Sequence, residues 1–91
     1  LAVLDNADAI LNQYQNANFY VDGYTDSVGR ESSNLTLSQG RASSVVSYLI
    51  TQGVASNRLE SRGFGEANPL ESNKTREGRR TNRRVEILLK K

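Results

Sequence analysis

The middle of the chain contains a strand-like segment, a helix-like segment and a second strand-like segment in immediate succession. In residues 18–25, Phe19 and Val21 alternate with polar or aromatic residues at the period of two that a half-buried strand requires. Residues 34–52 place apolar side chains at helical spacing, and residues 59–65 have the length and glycine punctuation of a second strand. This order favours a parallel crossover, in which the helix packs on one face of a sheet.

The flanking segments add a helix before this unit and a strand after it. Apolar residues at helical spacing predict an amphipathic helix over residues 1–16, and because it starts at residue 1 without a capping residue, the chain is expected to begin inside a larger unit. Residues 66–78 are predicted to be a long polar loop and residues 83–89 a closing strand. A length of 91 residues suits one small core, so residues 1–91 are expected to form one domain.

The predicted fold class is α+β: a two-layer sandwich in which helices pack on one face of a small mixed sheet. In the closing strand, alternation places Val85, Ile87 and Leu89 on the core face. Asn34 is predicted to cap the central helix, with Ser38 as the alternative. The buried face of that helix is predicted to consist of Leu37, Ala42, Val45, Val46, Leu49 and Ile50.

The chain contains no histidine and no cysteine. This excludes zinc sites built from Cys and His, general-base catalysis by His, thiol nucleophiles, haem ligation by His and disulfides. Neither a metal nor another cofactor is predicted. Asp22, Asp26 and Glu66 could supply a hydrolase with a carboxylate pair, but Asp22 lies in mid-strand and nothing places a partner carboxylate within its reach. The chain is therefore not predicted to be an enzyme.

Basic residues are concentrated at the end of the chain. The net charge is +2, yet residues 1–29 contain four Asp and no basic residue, whereas residues 74–91 contain eight Lys or Arg against two Glu. Such a segment is either a solvated face or a patch for anions or nucleic acid, so a nucleic-acid-binding module is the alternative function. An RNA-binding sheet would also display stacking aromatic rings, and the basic segment contains none.

Four separated blocks of the sequence resemble one known family. They are TDSVG at residues 25–29, NLTLSQGRASSVVSYLITQGV at 34–54, RLESRGFGE at 58–66 and NKTREGRRTNRRVEI at 73–87. Their order and spacing resemble the OmpA-like C-terminal domain, the peptidoglycan-binding module also found in Pal lipoproteins and MotB-type stator proteins. The resemblance covers essentially the whole chain and implies the βαβαββ fold of that family, with the opening strand missing here.

The resemblance also implies a ligand and the residues that hold it. Family members bind the meso-diaminopimelate residue of the peptidoglycan stem peptide through an Asp and an Arg that correspond to Asp26 and Arg41. Thr25, Asn34 and Arg83 match further positions of the family's site. The implied function is non-covalent anchoring of an outer-membrane or envelope protein to the cell wall in the Gram-negative periplasm. Catalysis, a cofactor, nucleic acid and membrane insertion of this domain are not part of it.

The residue types suit this ligand. The side-chain end of diaminopimelate carries an ammonium and a carboxylate on one carbon, so a receptor needs an acid and a base a few ångströms apart. Asp26 can accept from the ammonium, and the planar guanidinium of Arg41 can donate two parallel hydrogen bonds to the carboxylate. Strand alternation directs Arg83 to the helix-covered side of the sheet. The competing interpretation is that Asp26 and Arg41 simply form a surface ion pair.

A missing opening strand would leave one sheet edge exposed. Unpaired strand edges recruit other strands. We therefore expect either a partner segment at that edge or a homodimer formed through it.

Overall fold

The computed structural model describes residues 16–90 of the chain. In this part, three strands form one sheet in the order β2-β1-β3, with β1 spanning Asn18–Gly23, β2 Leu59–Gly63 and β3 Val85–Lys90. β1 pairs with β2 in parallel and with β3 in antiparallel orientation, and Val21 lies opposite Ser61 on one side and Ile87 on the other. The predicted small mixed sheet and its parallel crossover are confirmed.

Two helices accompany the sheet in the described residues. Helix α1 (Glu31–Thr51) connects β1 to β2, through a single 3₁₀ turn at Ser56–Arg58 that leads into β2. Helix α2 (Arg76–Asn82) precedes β3. Neither helix is long and apolar enough to cross a membrane. The helix predicted over residues 1–16 lies outside the described residues, apart from Asn16.

The hydrophobic core lies between α1 and one face of the sheet. Alternate positions of β1 and β3 supply the sheet side of this core, and positions three or four residues apart on α1 supply the helix side. Each fully buried Val, Leu, Ile or Phe side chain contributes roughly 1.5–3 kcal/mol to stability relative to an exposed one. The buried cluster consists of Phe19, Val21, Ala42, Val45, Leu49, Val85 and Ile87.

Two paired glycines let α1 approach the end of the sheet closely. Gly23 and Gly63 are opposite each other as the last residues of β1 and β2. A Cβ atom on Gly23 would collide with the backbone carbonyl of Ser38, and one on Gly63 would collide with the backbone of Gln39. The first half of α1 therefore rests directly on the ends of the two parallel strands, where the chain enters the loops that carry the predicted site.

The opposite face of the sheet is covered by arginines. Tyr20, Asp22 and Tyr24 point away from the core, and Arg62 donates from Nε and Nη2 to the two carboxylate oxygens of Asp22 at 2.7 Å each. The same guanidinium stacks 3.6 Å from the ring centroid of Tyr20, and that of Arg84 lies 3.9 Å from the centroid of Tyr24. The pKa of Tyr24 is raised, mainly by burial and then by the nearby charges of Glu86 and Asp22. The positive charge of Arg84 opposes this shift only in part.

The beginning and the buried face of α1 differ from the prediction. The helix starts at Glu31 after Arg30, without a side-chain cap, so Asn34 does not cap it and lies inside its first turn. Leu37 and Ile50, predicted to be buried, are exposed, and Val46 is only partly buried. The buried stripe consists instead of Asn34, Ser38, Ala42, Val45 and Leu49. Two polar residues occupy its first half, because that half contacts the polar loops at the end of the sheet.

Further predictions were wrong in detail, among them the closing strand, which spans Val85–Lys90 rather than residues 83–89. Both β1 and β2 end two residues earlier than predicted, at Gly23 and Gly63. The predicted loop 66–78 contains the beginning of α2, which Thr75 caps by accepting a hydrogen bond from the Gly78 amide at 2.9 Å. Leu89 is 43% exposed, because α1 lies over β1 and β2 and leaves the end of β3 uncovered by the described helices.

Candidate ligand-binding site

The loop that follows β1 is held between the other two strands. After Gly23, the Tyr24 amide donates to the Arg84 carbonyl at 2.9 Å, and the Thr25 amide donates to the Gly65 carbonyl at 2.7 Å. Tyr24, Thr25 and Asp26 are consequently buried although they lie outside regular structure. These backbone bonds deliver Asp26 to the end of the sheet, beside the first turns of α1.

Asp26 is a largely buried carboxylate with one arginine partner. Its side chain is 12% exposed, and Oδ2 accepts a hydrogen bond from Nη1 of Arg83 at 2.8 Å. Oδ1 accepts from the amide of Val28 at 3.0 Å. Burial by itself would raise the pKa of Asp26, but the hydrogen bonds from Arg83 and Val28 and the charges of Arg83 and Arg79 outweigh it. The pKa of this carboxyl therefore lies below its usual value.

Thr25 and Asn34 hold the loop rather than face outward. The Thr25 hydroxyl donates to the Asp26 carbonyl at 2.8 Å. The Asn34 amide nitrogen lies 3.3 Å from the Asp26 carbonyl, 3.1 Å from the Val28 carbonyl and 3.3 Å from Oε2 of Glu66. Asn34 thus joins α1 to the loop after β1 and to the loop after β2. Both residues orient the backbone of Asp26.

Ser38 reinforces the same junction one helical turn further on. Its hydroxyl donates to the Leu35 carbonyl and accepts from the Gly65 amide, both at 2.8 Å. Ser38 is fully buried. Asn34 and Ser38 are the two polar residues in the otherwise apolar buried stripe of α1. Together they hold the loop after β2 against this helix.

Arg41 does not form the ion pair that the competing interpretation requires. The described residues provide it with neither a salt bridge nor a hydrogen bond, and its Nη1 atom is nevertheless buried. A buried donor without a partner costs free energy, and the cost is larger when the group is charged. Such groups are therefore rare in folded proteins. The carboxylate of Asp26 pairs with Arg83 instead, so Arg41 has no acceptor among the described residues.

Arg83 also lines a basic cleft next to Asp26 that depends on α2. Arg76, Glu77, Arg80 and Arg83 line a cleft of about 360 Å³. Asn82, which is fully buried, anchors the end of α2 by accepting from the amides of Leu70 and Glu71 at 2.9 and 3.0 Å. Helix α2 was not predicted from the sequence, so the cleft that Arg76 lines was not predicted either. Thr75 three residues before Gly78, at the start of a run rich in Arg and Glu, was the available signal.

The combined arrangement suits a small zwitterion. Each oxygen of an ionised carboxylate has two acceptor positions. Since Oδ1 and Oδ2 of Asp26 each accept one hydrogen bond in the protein, positions remain for a ligand ammonium. Arg41 can serve a ligand carboxylate. In residues 16–90, no group of three or more acidic side chains could hold a metal ion.

Comparison with known proteins gives the relationships of the chain. The family model described as the OmpA family matches residues 2–83. The chain is 52% identical over 80 residues to the probable lipoprotein YiaD of Escherichia coli, which covers 88% of this chain and 36% of that protein. It is 41% identical over 87 residues to the peptidoglycan-binding protein ArfA of Mycobacterium tuberculosis, which covers 96% of this chain and 27% of that protein.

A solved structure shows the same fold. The crystal structure of the peptidoglycan-associated lipoprotein from Burkholderia pseudomallei matches with a TM-score of 0.83 at 25% identity, over 98% of this chain and 81% of that one. The chain spans only 36% and 27% of the lengths of YiaD and ArfA, so the resemblance concerns one part of those proteins. The relationship indicated by the four sequence blocks is confirmed, and the chain belongs to the OmpA family.

Proposed function

We propose that this chain binds peptidoglycan without covalent attachment, through the diaminopimelate residue of the stem peptide. Asp26 accepts from the ligand ammonium, and Arg41 donates to the ligand carboxylate. Arg83 holds Asp26 ionised and in place, while Thr25 and Asn34 orient its loop. The observation that carries the proposal is the buried Nη1 of Arg41, which has no partner among residues 16–90, together with a largely buried Asp26 whose pKa is lowered.

The relatives support peptidoglycan as the binding partner. ArfA is described as a peptidoglycan-binding protein, and the matching Burkholderia structure is of a peptidoglycan-associated lipoprotein. In the proposed role, the domain fastens an outer-membrane or envelope protein to the cell wall from the periplasm, and it catalyses no reaction. Nothing in the comparisons favours the alternative of a nucleic-acid-binding module.

We also propose that the domain forms a homodimer through the outer edge of β3. Within the described residues, β3 pairs with β1 on one side and with no strand on the other. Leu88 and Leu89 are exposed near the end of this strand. A second copy that pairs along the edge would satisfy the free backbone groups and cover these leucines.

The test of the proposed ligand is equilibrium binding of meso-diaminopimelate to the wild type, Asp26→Ala and Arg41→Ala. Removing either partner leaves a ligand charge desolvated and unpaired, a loss of about 2–5 kcal/mol, which corresponds to roughly thirtyfold or more in affinity. Sedimentation with purified peptidoglycan sacculi provides a second readout, in which both variants are expected to stay in the supernatant.

Matched controls separate the site from general charge effects. Lys90→Ala and Glu60→Ala each remove a charge of the corresponding sign at the opposite end of the sheet, where the two side chains form an exposed ion pair at 3.1 Å. Both control variants should bind as the wild type does. Folded Asp26 and Arg41 variants that retain wild-type affinity would contradict the proposed site, and a wild type that does not bind would contradict the proposed function.

A further inference from the structure

The basic cleft beside Asp26 contains two arginines that have no partner in the described part of the chain. Arg76 and Arg80 are exposed and form neither a hydrogen bond nor an ion pair within residues 16–90. Other arginines are occupied: Arg62 pairs with Asp22, Arg83 with Asp26 and Arg84 with Glu86. The cleft is therefore a place where positive charge is left unneutralised.

The spacing of the arginines concentrates this charge. Arg76, Arg80 and Arg83 stand at positions i, i+4 and i+7, so their side chains lie along one side of α2 and its end. Like charges at this spacing repel each other and destabilise a helix. Glu77 is the only acid among the lining residues, and it pairs with neither Arg76 nor Arg80. An anion from outside the chain would remove the repulsion.

Arg83 makes the cleft continuous with the diaminopimelate site. Its side chain lines the cleft and also donates from Nη1 to Asp26 at 2.8 Å. Seven residues separate Arg83 from Arg76, a distance of roughly 10 Å at the rise of an α-helix. A ligand that is held at Asp26 by its side-chain ammonium and extends through diaminopimelate into the preceding residue covers a similar length, because about ten bonds lie along this path, roughly 12 Å when extended.

We propose that the cleft formed by Arg76 and Arg80 binds a second carboxylate of the stem peptide, the free α-carboxylate of the glutamyl residue that precedes diaminopimelate. This inference rests on the proposed function. The glutamyl residue is joined to diaminopimelate through its γ-carboxyl group, so its α-carboxylate remains free and ionised and can reach the far end of the cleft. Two guanidiniums can hold a carboxylate with charge-assisted hydrogen bonds of defined geometry. The chain thereby recognises two neighbouring residues of the peptide.

The test compares two synthetic tripeptides, alanyl-γ-glutamyl-diaminopimelate and the same peptide with the glutamyl α-carboxylate converted to a carboxamide. Isothermal titration at fixed ionic strength should show the carboxylate form binding wild type about ten- to a hundredfold more tightly than the amide. In the double variant Arg76→Ala/Arg80→Ala this preference should disappear, so that the two tripeptides bind with about equal affinity. The affinity for free diaminopimelate should stay within about twofold of wild type.

The control is Lys74→Ala/Lys90→Ala, which removes the same charge from residues that do not line the cleft. It should keep the preference for the carboxylate peptide. Equal affinity of the wild type for the two tripeptides would overturn this inference and leave the proposed function standing. Binding of neither tripeptide nor of free diaminopimelate would instead show that the proposed function itself is wrong. If the control variant lost the preference for the carboxylate peptide as completely as the arginine variant, the preference would come from overall charge and the inference would be wrong.

Discussion

Asp26 is nearly buried and yet ionised, because it receives hydrogen bonds from Arg83 and from the Val28 amide. Arg41 is in the opposite situation, with a buried donor that has no acceptor among residues 16–90. A buried polar group is normally satisfied, so this donor calls for an acceptor. In the proposed site, these two residues would require a ligand that carries an ammonium and a carboxylate.

The lowered pKa of Asp26 predicts a specific pH dependence of stability. A carboxyl whose pKa is lower in the folded than in the unfolded state stabilises the fold above the unfolded value, about 4, and loses this contribution as the pH falls through the folded value. Asp26→Asn should therefore lower the free energy of unfolding by about 1–2 kcal/mol at pH 7. The difference from wild type should shrink below about pH 4.

Urea denaturation at a series of pH values measures this difference. Glu60→Gln serves as the control, because Glu60 is an exposed carboxylate whose ion pair with Lys90 contributes little. A deficit of Asp26→Asn that stays constant from pH 7 to pH 3 would show that ionisation of Asp26 is not its cause.

Arg41 predicts discrimination between diaminopimelate and lysine. Lysine lacks the side-chain carboxylate, so it retains the contact with Asp26 and leaves Arg41 unpaired. The loss of charged hydrogen bonds should cost about 1.5–3 kcal/mol, or roughly ten- to more than a hundredfold in affinity. Arg41→Ala should remove most of this preference. Competition titration with both amino acids at fixed ionic strength checks it, and equal affinities in the wild type would exclude the assigned role of Arg41.

At the scale of elements, the site depends on how closely α1 approaches the ends of β1 and β2. Gly23 and Gly63 allow this approach, and Asn34 and Ser38 then bond the helix to both loops. α2 performs the corresponding task for Arg83, since Thr75 and Asn82 anchor its two ends. The contacts of Asn34, the contacts of Ser38 and the anchored α2 thus bring distant segments of the chain to one end of the sheet.

Two glycines of the same region should respond to alanine in opposite directions. Gly23→Ala places a methyl group against the backbone of Ser38, so it should lower the free energy of unfolding by about 1–3 kcal/mol and weaken diaminopimelate binding. Gly40 lies in the interior of α1 and a Cβ there meets nothing within 4 Å. Gly40→Ala should therefore stabilise the fold by about 1 kcal/mol. Thermal and urea unfolding measure both, and a Gly23→Ala protein as stable as wild type would contradict the close approach.

At the scale of the whole molecule, the proposed binding residues are separated from the edge of β3 that no described strand covers. Asp26 follows the end of the sheet where Gly23 pairs with Val85, whereas Leu88 and Leu89 lie toward the other end of β3. A partner copy paired along this edge would leave the site accessible. Such a dimer would present two sites to the cell wall, which increases effective affinity for a polymer.

The homodimer predicts a concentration-dependent mass that depends on the edge. Light scattering coupled to size-exclusion chromatography should show dimers of the wild type, and Leu88→Lys should shift the protein to monomers, because a charged side chain on an edge strand opposes pairing. Affinity for free diaminopimelate should not change. A wild type that remains monomeric up to the highest soluble concentration and binds diaminopimelate fully would contradict the dimer.

The sequence alone determined the elements whose signal is local and long. Alternation in residues 18–25, helical spacing in 34–52 and alternation in 83–89 correctly predicted β1, α1 and β3, because each pattern extends over several periods. The parallel pairing of β1 and β2 followed from their order along the chain. The resemblance of four blocks to the OmpA family assigns Asp26 and Arg41 to the proposed site from the sequence alone.

Only the tertiary structure decided which groups meet. Asp26 pairs with Arg83, which is 57 residues away in sequence, and not with Arg41. The seven-residue helix α2 is too short for periodicity to reveal it, and its position depends on the buried Asn82. Asn34, or alternatively Ser38, was predicted to cap α1. Both residues instead lie in the buried stripe of α1, because polar loops contact that half of the helix. Contacts between distant segments leave no periodic trace in the chain, so the pairing of charges at this site required the folded arrangement.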